Sequence, residues 1–449
     1  MTIRTPIAII FAFLLATSSF NRAWAENLLI KNARIHTMTE QGVIKKGSIL
    51  IKGKRIVSVG KVSVRKFLAS FAKVRTIDAQ GRSVTPGLIN SFTRLGLMEI
   101  SGVSETNDSR SDNEEVSAAF NVAPGINHNS EAMQIAIADG ITRAWVVPGT
   151  GYHIFAGLGA DIAPRRSNQT IIIPKVFEFV TLGEVGARQA GGSRGSAMMQ
   201  LKASLYEAQA YSGNRLRYQA GNWQESLINR LNTEALLPVI RGKKPLLIKA
   251  ERASDLRQII ALKKEFPVLR IIIAGAAEGW MVARELARAN IPVITGGMKN
   301  LPRNFETMGA TLNNVGRMHR AGVLVALGSL ARFEGLMVNG IVQEAGNLVG
   351  QGRIRGGVGL SHNEALKLIT SNAARIMGIA TETGSIAPGK TADLVIWSGD
   401  PLEVASSPDH VIASGKEQSL VTRQTLLSRR YKDLKARNLP YQYGPEGRR

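Results

Sequence analysis

The stretch Gly384-Ser385-Ile386-Ala387-Pro388-Gly389-Lys390-Thr391-Ala392-Asp393-Leu394-Val395-Ile396-Trp397 decides how this chain is read. Its glycines and its proline separate short apolar runs in the manner of turns between strands, and Asp393 to Trp397 is a compact strand-like run. It closes a long region with a different rhythm. Upstream, strand-like runs alternate with helical patterns: a helix over Ser130 to Asp139, stopped by Gly140, before a strand over Thr142 to Val147. A strand over Leu246 to Ala250 precedes a helix over Asp255 to Phe266, and a strand over Leu269 to Ala274 precedes a helix over Glu278 to Asn290. Ile291 to Thr295 and Val323 to Leu327 read as strands on either side of a helix over Phe305 to Ala321, and a further helix runs to about Val349. Ser361-His362-Asn363-Glu364 is a capping box that opens a helix to about Met377.

Repeated strand–helix units on this scale suit a parallel barrel better than a small doubly wound sheet. Before Pro86-Gly87 the rhythm is again that of short strands at hairpin spacing, from Leu28 to Thr85, which predicts a small antiparallel unit. The fold class expected is therefore α/β: a TIM-like barrel with a small β-sandwich domain. The boundaries expected are 1–25 for a signal segment, 26–85 for the first part of the β-domain and 86–377 for the barrel. The returning part of the β-domain takes 378–422, and a basic helix and tail take 423–449.

Several of these stretches, in this order, resemble the metal-dependent amidohydrolase superfamily, in particular its imidazolonepropionase-like members. The similarity covers most of the chain. It is carried by Leu29-Ile30-Lys31-Asn32-Ala33, by Val84-Thr85-Pro86-Gly87-Leu88-Ile89, by Thr370-Ser371-Asn372-Ala373-Ala374, by Gly384 to Val395 and by Gly399-Asp400-Pro401-Leu402. The resemblance implies a β-domain built from both ends of the chain around the barrel. It also implies hydrolysis of non-peptide, amide-like C–N bonds, often in rings, by water activated on zinc or another divalent metal. The ligands implied are a His-x-His pair after the first barrel strand, two histidines on middle strands and an Asp after the last.

This chain departs from that pattern at each position. Asn90-Ser91-Phe92-Thr93-Arg94 stands where Asp-x-His-x-His is expected, so Phe92 and Arg94 replace the pair. Lys249 follows Leu246-Leu247-Ile248 where a histidine is expected, Gly275 and Ala276 follow the next strand, and Leu330 stands where the last Asp is expected. Phe and Leu offer a metal no lone pair, and Arg and protonated Lys repel it. No metal site and no cofactor are therefore expected, and the catalytic residues stay unassigned. The barrel mouth is read as a cationic pocket around Arg94 and Lys249 for a small anionic ligand, with Phe92, Glu99, Glu251 and Leu330 beside them. A structural ion pair of Lys249 with Glu251, Glu278 or Glu99 is the competing reading.

The function expected is that of a degenerate, non-catalytic binding or accessory protein. One alternative is a hydrolase with metal-independent chemistry, in which Lys249 acts as base or nucleophile and Glu99, Asp161 or Glu278 assists. A relocated metal site on His128 and His153 is another. His36 and His410 fall in β-domain segments, His319 on a helix and His362 in the capping turn. Gly191-Gly192-Ser193-Arg194-Gly195 matches the nucleophile-elbow pattern but lacks a preceding strand, so it reads as a mobile loop in which Arg194 and a helix start are open to an anion.

Composition sets the setting. The chain has no cysteine, so neither disulfides nor thiolate metal sites exist and stability must come from a large core, for which 44% hydrophobic residues suffice. Arg4, the apolar run Ile7 to Ala16 and Ala23-Trp24-Ala25 form the three-part pattern of a secretory signal cleaved after Ala25, which predicts a periplasmic or secreted protein. The formal net charge of +23 predicts attraction to anionic partners, envelope polyanions foremost. The basic residues are dispersed and no nucleic-acid recognition element is present, so specific nucleic-acid binding is not expected; self-association stays open.

Overall fold

In the computed structural model, residues 27–61 and 74–432 are described, apart from 101, 114, 168, 221–225, 299–300 and 331–339. The expected signal segment and the tail beyond residue 432 lie outside them. Sixteen strands form two sheets among the described residues. The first contains β1 (Asn27–His36), β2 (Val43–Lys52), β3 (Arg55–Gly60), β4 (Val74–Asp78) and β5 (Ser83–Pro86) from one end of the chain. β14 (Leu394–Trp397), β15 (Pro408–Ala413) and β16 (Lys416–Glu417) join it from the other. Its order is β16-β15-β14-β5-β1-β2-β3, with β4 also pairing β1.

The seam between the two ends is the antiparallel β14–β5 pairing, with Val395 opposite Thr85 and Ile396 opposite Val84. Trp397 adds a buried hydrogen bond across it, its indole N–H donating to Thr85 Oγ1 at 2.9 Å. The apolar face mixes Ile30, Ile35, Ile49 and Ile51 with Ile386, Leu394 and Ile396, so neither end could bury its own strands alone. The expectation of a purely antiparallel unit needs correction. β4 and β5 both run parallel to β1: β4 lies along Asn27 to Lys31 and β5, after the turn at Ala79 to Arg82, along Arg34 and Ile35.

The second sheet runs β6 (Leu88–Thr93), β7 (Ile141–Val146), β8 (Phe155–Ile162), β9 (Ile171–Thr181), β10 (Leu246–Ala250), β11 (Ile271–Gly275), β12 (Val293–Thr295) and β13 (Val325–Leu327) in sequence order. It curls until the Ser329 N–H, just after β13, donates to the Phe92 carbonyl at 2.8 Å, which nearly closes a barrel. β11 reads as an unbroken apolar run, and β10 as one interrupted only by Lys249, because both faces are covered. Leu246, Ile248, Ile271 and Ile273 pack outward under the helices, while Leu247, Ile272, Ile294, Phe177, Phe179 and Trp145 fill the interior. The helix Ser371–Met377 plugs the lower end with Ala373, Ile376 and Met377, and Asn372 Nδ2 donates to the Val325 carbonyl where β13 begins.

Three sequence expectations fail here. The barrel is not wholly parallel, since β8 runs antiparallel to both β7 and β9. The helix expected over Phe305 to Ala321 is a single 3-10 turn, Phe305–Thr307, followed by a short helix, Asn314–Arg320. The helix expected from Ser361 to Met377 does open on its capping box but breaks after Leu368, and the second helix ends at Gly378 in the left-handed conformation.

Candidate site at the barrel mouth

Side-chain direction alternates along a strand, so the neighbours of Lys249 locate it. Leu246, Ile248 and Ala250 face the helices and Leu247 faces the barrel interior; Lys249, two residues on, therefore points inward at the upper end of β10. There it lines a cavity of about 580 Å3 with Glu251, Leu330, Val185, Met298 and Leu301, together with Arg303, Asn304, Glu306 and Thr307. The walls come from the segments after β9, β10, β12 and β13, which is where this architecture gathers its functional loops. Among the described residues Lys249 Nζ has neither an ion pair nor a hydrogen bond.

The carboxylates around it are already engaged. Glu251 accepts from the Ala277 N–H at 2.9 Å. Glu278 accepts from the N–H groups of Ala253 and Gly309, both at 2.9 Å, and so ties the loops together rather than pairing with Lys249. Glu306 accepts from the Glu184 N–H at 2.6 Å, and Glu184 reciprocates by accepting from the Glu306 N–H at 2.9 Å. Burial, reinforced by the nearby charges of Glu251 and Glu184, raises the Glu306 carboxyl above its ordinary value even though the Glu184 N–H and Arg194 oppose this.

Arg194 is the hub beneath this wall. Its guanidinium lies 3.3 Å from Asp255, 3.8 Å from Glu184 and 3.8 Å from Glu306. The expectation that Arg194 is open to an anion is thus corrected: three carboxylates of the protein already surround it. Ser193 caps the helix Arg194–Gly213 by accepting from the Gly195 N–H, and a helix, Gly183–Gln189, precedes it where an elbow would need a strand.

The remaining candidates scatter. Phe92 is buried inside the barrel against Phe179, ring centroids 5.7 Å apart, and does not line the cavity. Arg94 sits partly buried in the loop after β6 and does not line it either. Glu99 accepts from Asn127 Nδ2 and Ser130 Oγ, both at 2.9 Å, bracing the start of the helix Glu131–Ala138 away from Lys249. Asp161 is at the opposite end of the barrel, 3.0 Å from Arg143, because the reversed β8 carries its C-terminal end to the floor. Glu99, Asp161 and Glu278 therefore do not converge on Lys249. His319, His362 and His410 pair with Glu364, Asp400 and Glu417, and His36 stacks at 5.6 Å from His362.

The donor set fits a divalent ion poorly. Phe92 in β6, Arg94 after it, Lys249 in β10 and Leu330 after β13 give a metal no donor, and although Glu251 and Glu306 line the cavity, among the described residues no three His, Asp or Glu side chains are grouped to hold a metal. Sequence reasoning missed Glu306 and Thr307 because it drew one helix through them from Phe305, and Arg303 and Asn304 because they fall in the unassigned stretch before it. The usable signal was Asn304, whose side chain forms a capping box with Thr307 and so opens the short turn Phe305–Thr307.

A model of the amidohydrolase family matches residues 264–419. The chain is 24% identical over 406 residues to imidazolonepropionase from Rhizobium meliloti (strain 1021), covering 84% of this chain and 92% of that protein. It is 21% identical over 370 residues to the amidohydrolase tasK of Hapsidospora irregularis; the match takes in 76% of this chain but only 37% of that longer relative. Among solved structures, an amidohydrolase from Thermotoga maritima MSB8 superposes with a TM-score of 0.76 at 24% identity, over 87% of this chain and 99% of that one.

Proposed function

We propose, for a chain that belongs to the amidohydrolase superfamily of hydrolases, that the barrel mouth binds a small molecule with an anionic end, using fixed side-chain charge where superfamily enzymes use a metal. One observation carries the proposal: Lys249 faces a cavity of about 580 Å3 with no partner among the described residues. In a partly enclosed site an ammonium whose neighbouring carboxylates, Glu251 and Glu306, are held by backbone N–H groups gains from a ligand carboxylate or phosphate oxygen. Arg303 adds a second cation on the same wall, and Val185, Met298, Leu301 and Leu330 offer apolar surface to the rest of the ligand. The protein is a binding or accessory protein on this reading, exported through its N-terminal segment.

Titration of the full chain with a panel of small carboxylates and phosphate esters, by calorimetry, tests the proposal. Lys249→Met is expected to weaken the best of them at least about tenfold, or about 1.4 kcal/mol. Equal affinity in wild type and variant would overturn it. An unpaired inward amine also suits a second reading, a hydrolase of amide-like C–N bonds that uses Lys249 without metal. Turnover of cyclic amides or acyl amino acids by the purified protein, abolished in Lys249→Met, would favour that reading over pure binding.

A further inference from the structure

A second concave site lies on the outer wall of the barrel, between the short helices Ala283–Arg288 and Asn314–Arg320. It measures about 620 Å3, and its charged rim is Arg284, Arg317 and Arg320 with one carboxylate, Glu285, around Trp280. The Arg317 guanidinium stacks over the Trp280 ring, 4.6 Å from its centroid. The indole is itself fixed, since its N–H donates to the Gly309 carbonyl at 2.8 Å.

The charges here are poorly explained by the fold. Arg317 and Arg320 are three residues apart on one helix, a spacing that sets like charges side by side at a cost. Arg284 adds a third from the neighbouring helix. The carboxylate at the rim, Glu285, is held by Arg257 Nε at 3.1 and 3.3 Å. None of the three rim arginines has a carboxylate partner among the described residues. Three guanidiniums around one hollow, one of them held flat by an aromatic ring, present planar N–H forks that match phosphate oxygens two at a time. The stacked arginine also loses less freedom on binding than a solvated one.

We infer that this groove is a binding site for a phosphate group, independent of the barrel mouth. A ligand phosphate would sit between Arg284, Arg317 and Arg320 and relieve their mutual repulsion. The same chemistry is available from a free di- or polyphosphate and from a phospholipid headgroup.

The test uses the full chain, the exposed pair variant Arg284→Gln/Arg320→Gln, and an equal-charge control, Lys45→Gln/Lys46→Gln, on β2. Inorganic pyrophosphate is titrated by calorimetry, and vesicles containing phosphatidylglycerol are tested by co-sedimentation at the same ionic strength. The expected result is saturable binding of at least one of these probes, weakened at least about tenfold in the groove variant and little changed in the control. Pyrophosphate binding identifies a free phosphate ligand; binding to vesicles alone identifies a headgroup. Absence of binding to both probes, or equal weakening in the two variants, would overturn the assignment. Unchanged thermal unfolding of both variants checks that the fold is intact.

Discussion

Asn90 and Ser329 close the barrel: Asn90 Nδ2 on the first barrel strand donates to Ser329 Oγ after the last, at 2.8 Å. Asn90 Oδ1 also accepts from the backbone N–H groups of Phe92 (3.2 Å) and Ser329 (3.3 Å). The residue at the head of the expected ligand motif therefore works as a stitch in a seam that β6 and β13 do not complete by strand pairing. Asn90→Ala removes a fully buried amide and leaves its partners unsatisfied. The expected loss is about 1–3 kcal/mol, read as a lower midpoint in urea unfolding. A midpoint equal to wild type would show that the seam holds without this side chain.

Gly183 controls the mouth from behind. It has φ +68°, and a Cβ there would lie 2.3 Å from Glu306 Oε2. Gly183→Ala should cost about 1 kcal/mol through the left-handed backbone alone. It should also push Glu306 away from the Glu184 N–H and change ligand affinity at the mouth. Calorimetry on the variant checks the second effect and thermal unfolding the first; an unaltered affinity would separate Glu306 from the binding site.

The barrel floor gives a pH signature. Burial raises the Asp161 carboxyl from 3.8 to about 7, against the pull of Arg143. Between those values the folded chain holds a proton that the unfolded chain has released. The stability contributed by this group is therefore full below about pH 4 and is lost as pH rises through 7. Asp161→Asn is neutral throughout. The stability of wild type relative to this variant should fall between pH 4 and 7 and level off above, as measured by urea unfolding at several pH values. A difference that rises with pH would contradict the assignment.

These residues show where sequence reading succeeds. The strands at both ends were legible because turn punctuation and apolar runs are local signals, whereas their union in one domain was implied by the family resemblance and not by any local pattern. Lys249 was read as a mouth residue from the register that the family resemblance implies, and in the structure it lines the cavity above β10. Asp161 was misread because no strand was assigned to Phe155–Ile162, whose two glycines interrupt the apolar run, and its reversed direction is set only by pairing with β7 and β9. Arg194 was misread for a related reason, since its three carboxylate partners come from three separate segments. The part of the wall at 305–307 was hidden by a helical pattern expected to run on to Ala321, which the structure breaks after Thr307.

The central claim is that the mouth presents the Lys249 ammonium where superfamily enzymes hold a divalent ion. Elemental analysis of protein purified without chelators tests it most directly. Zinc, iron, manganese, cobalt and nickel are each expected well below one equivalent per chain, with no change in thermal unfolding after exposure to a chelator. One equivalent of a tightly held divalent metal, whose removal destabilises the chain, would contradict it.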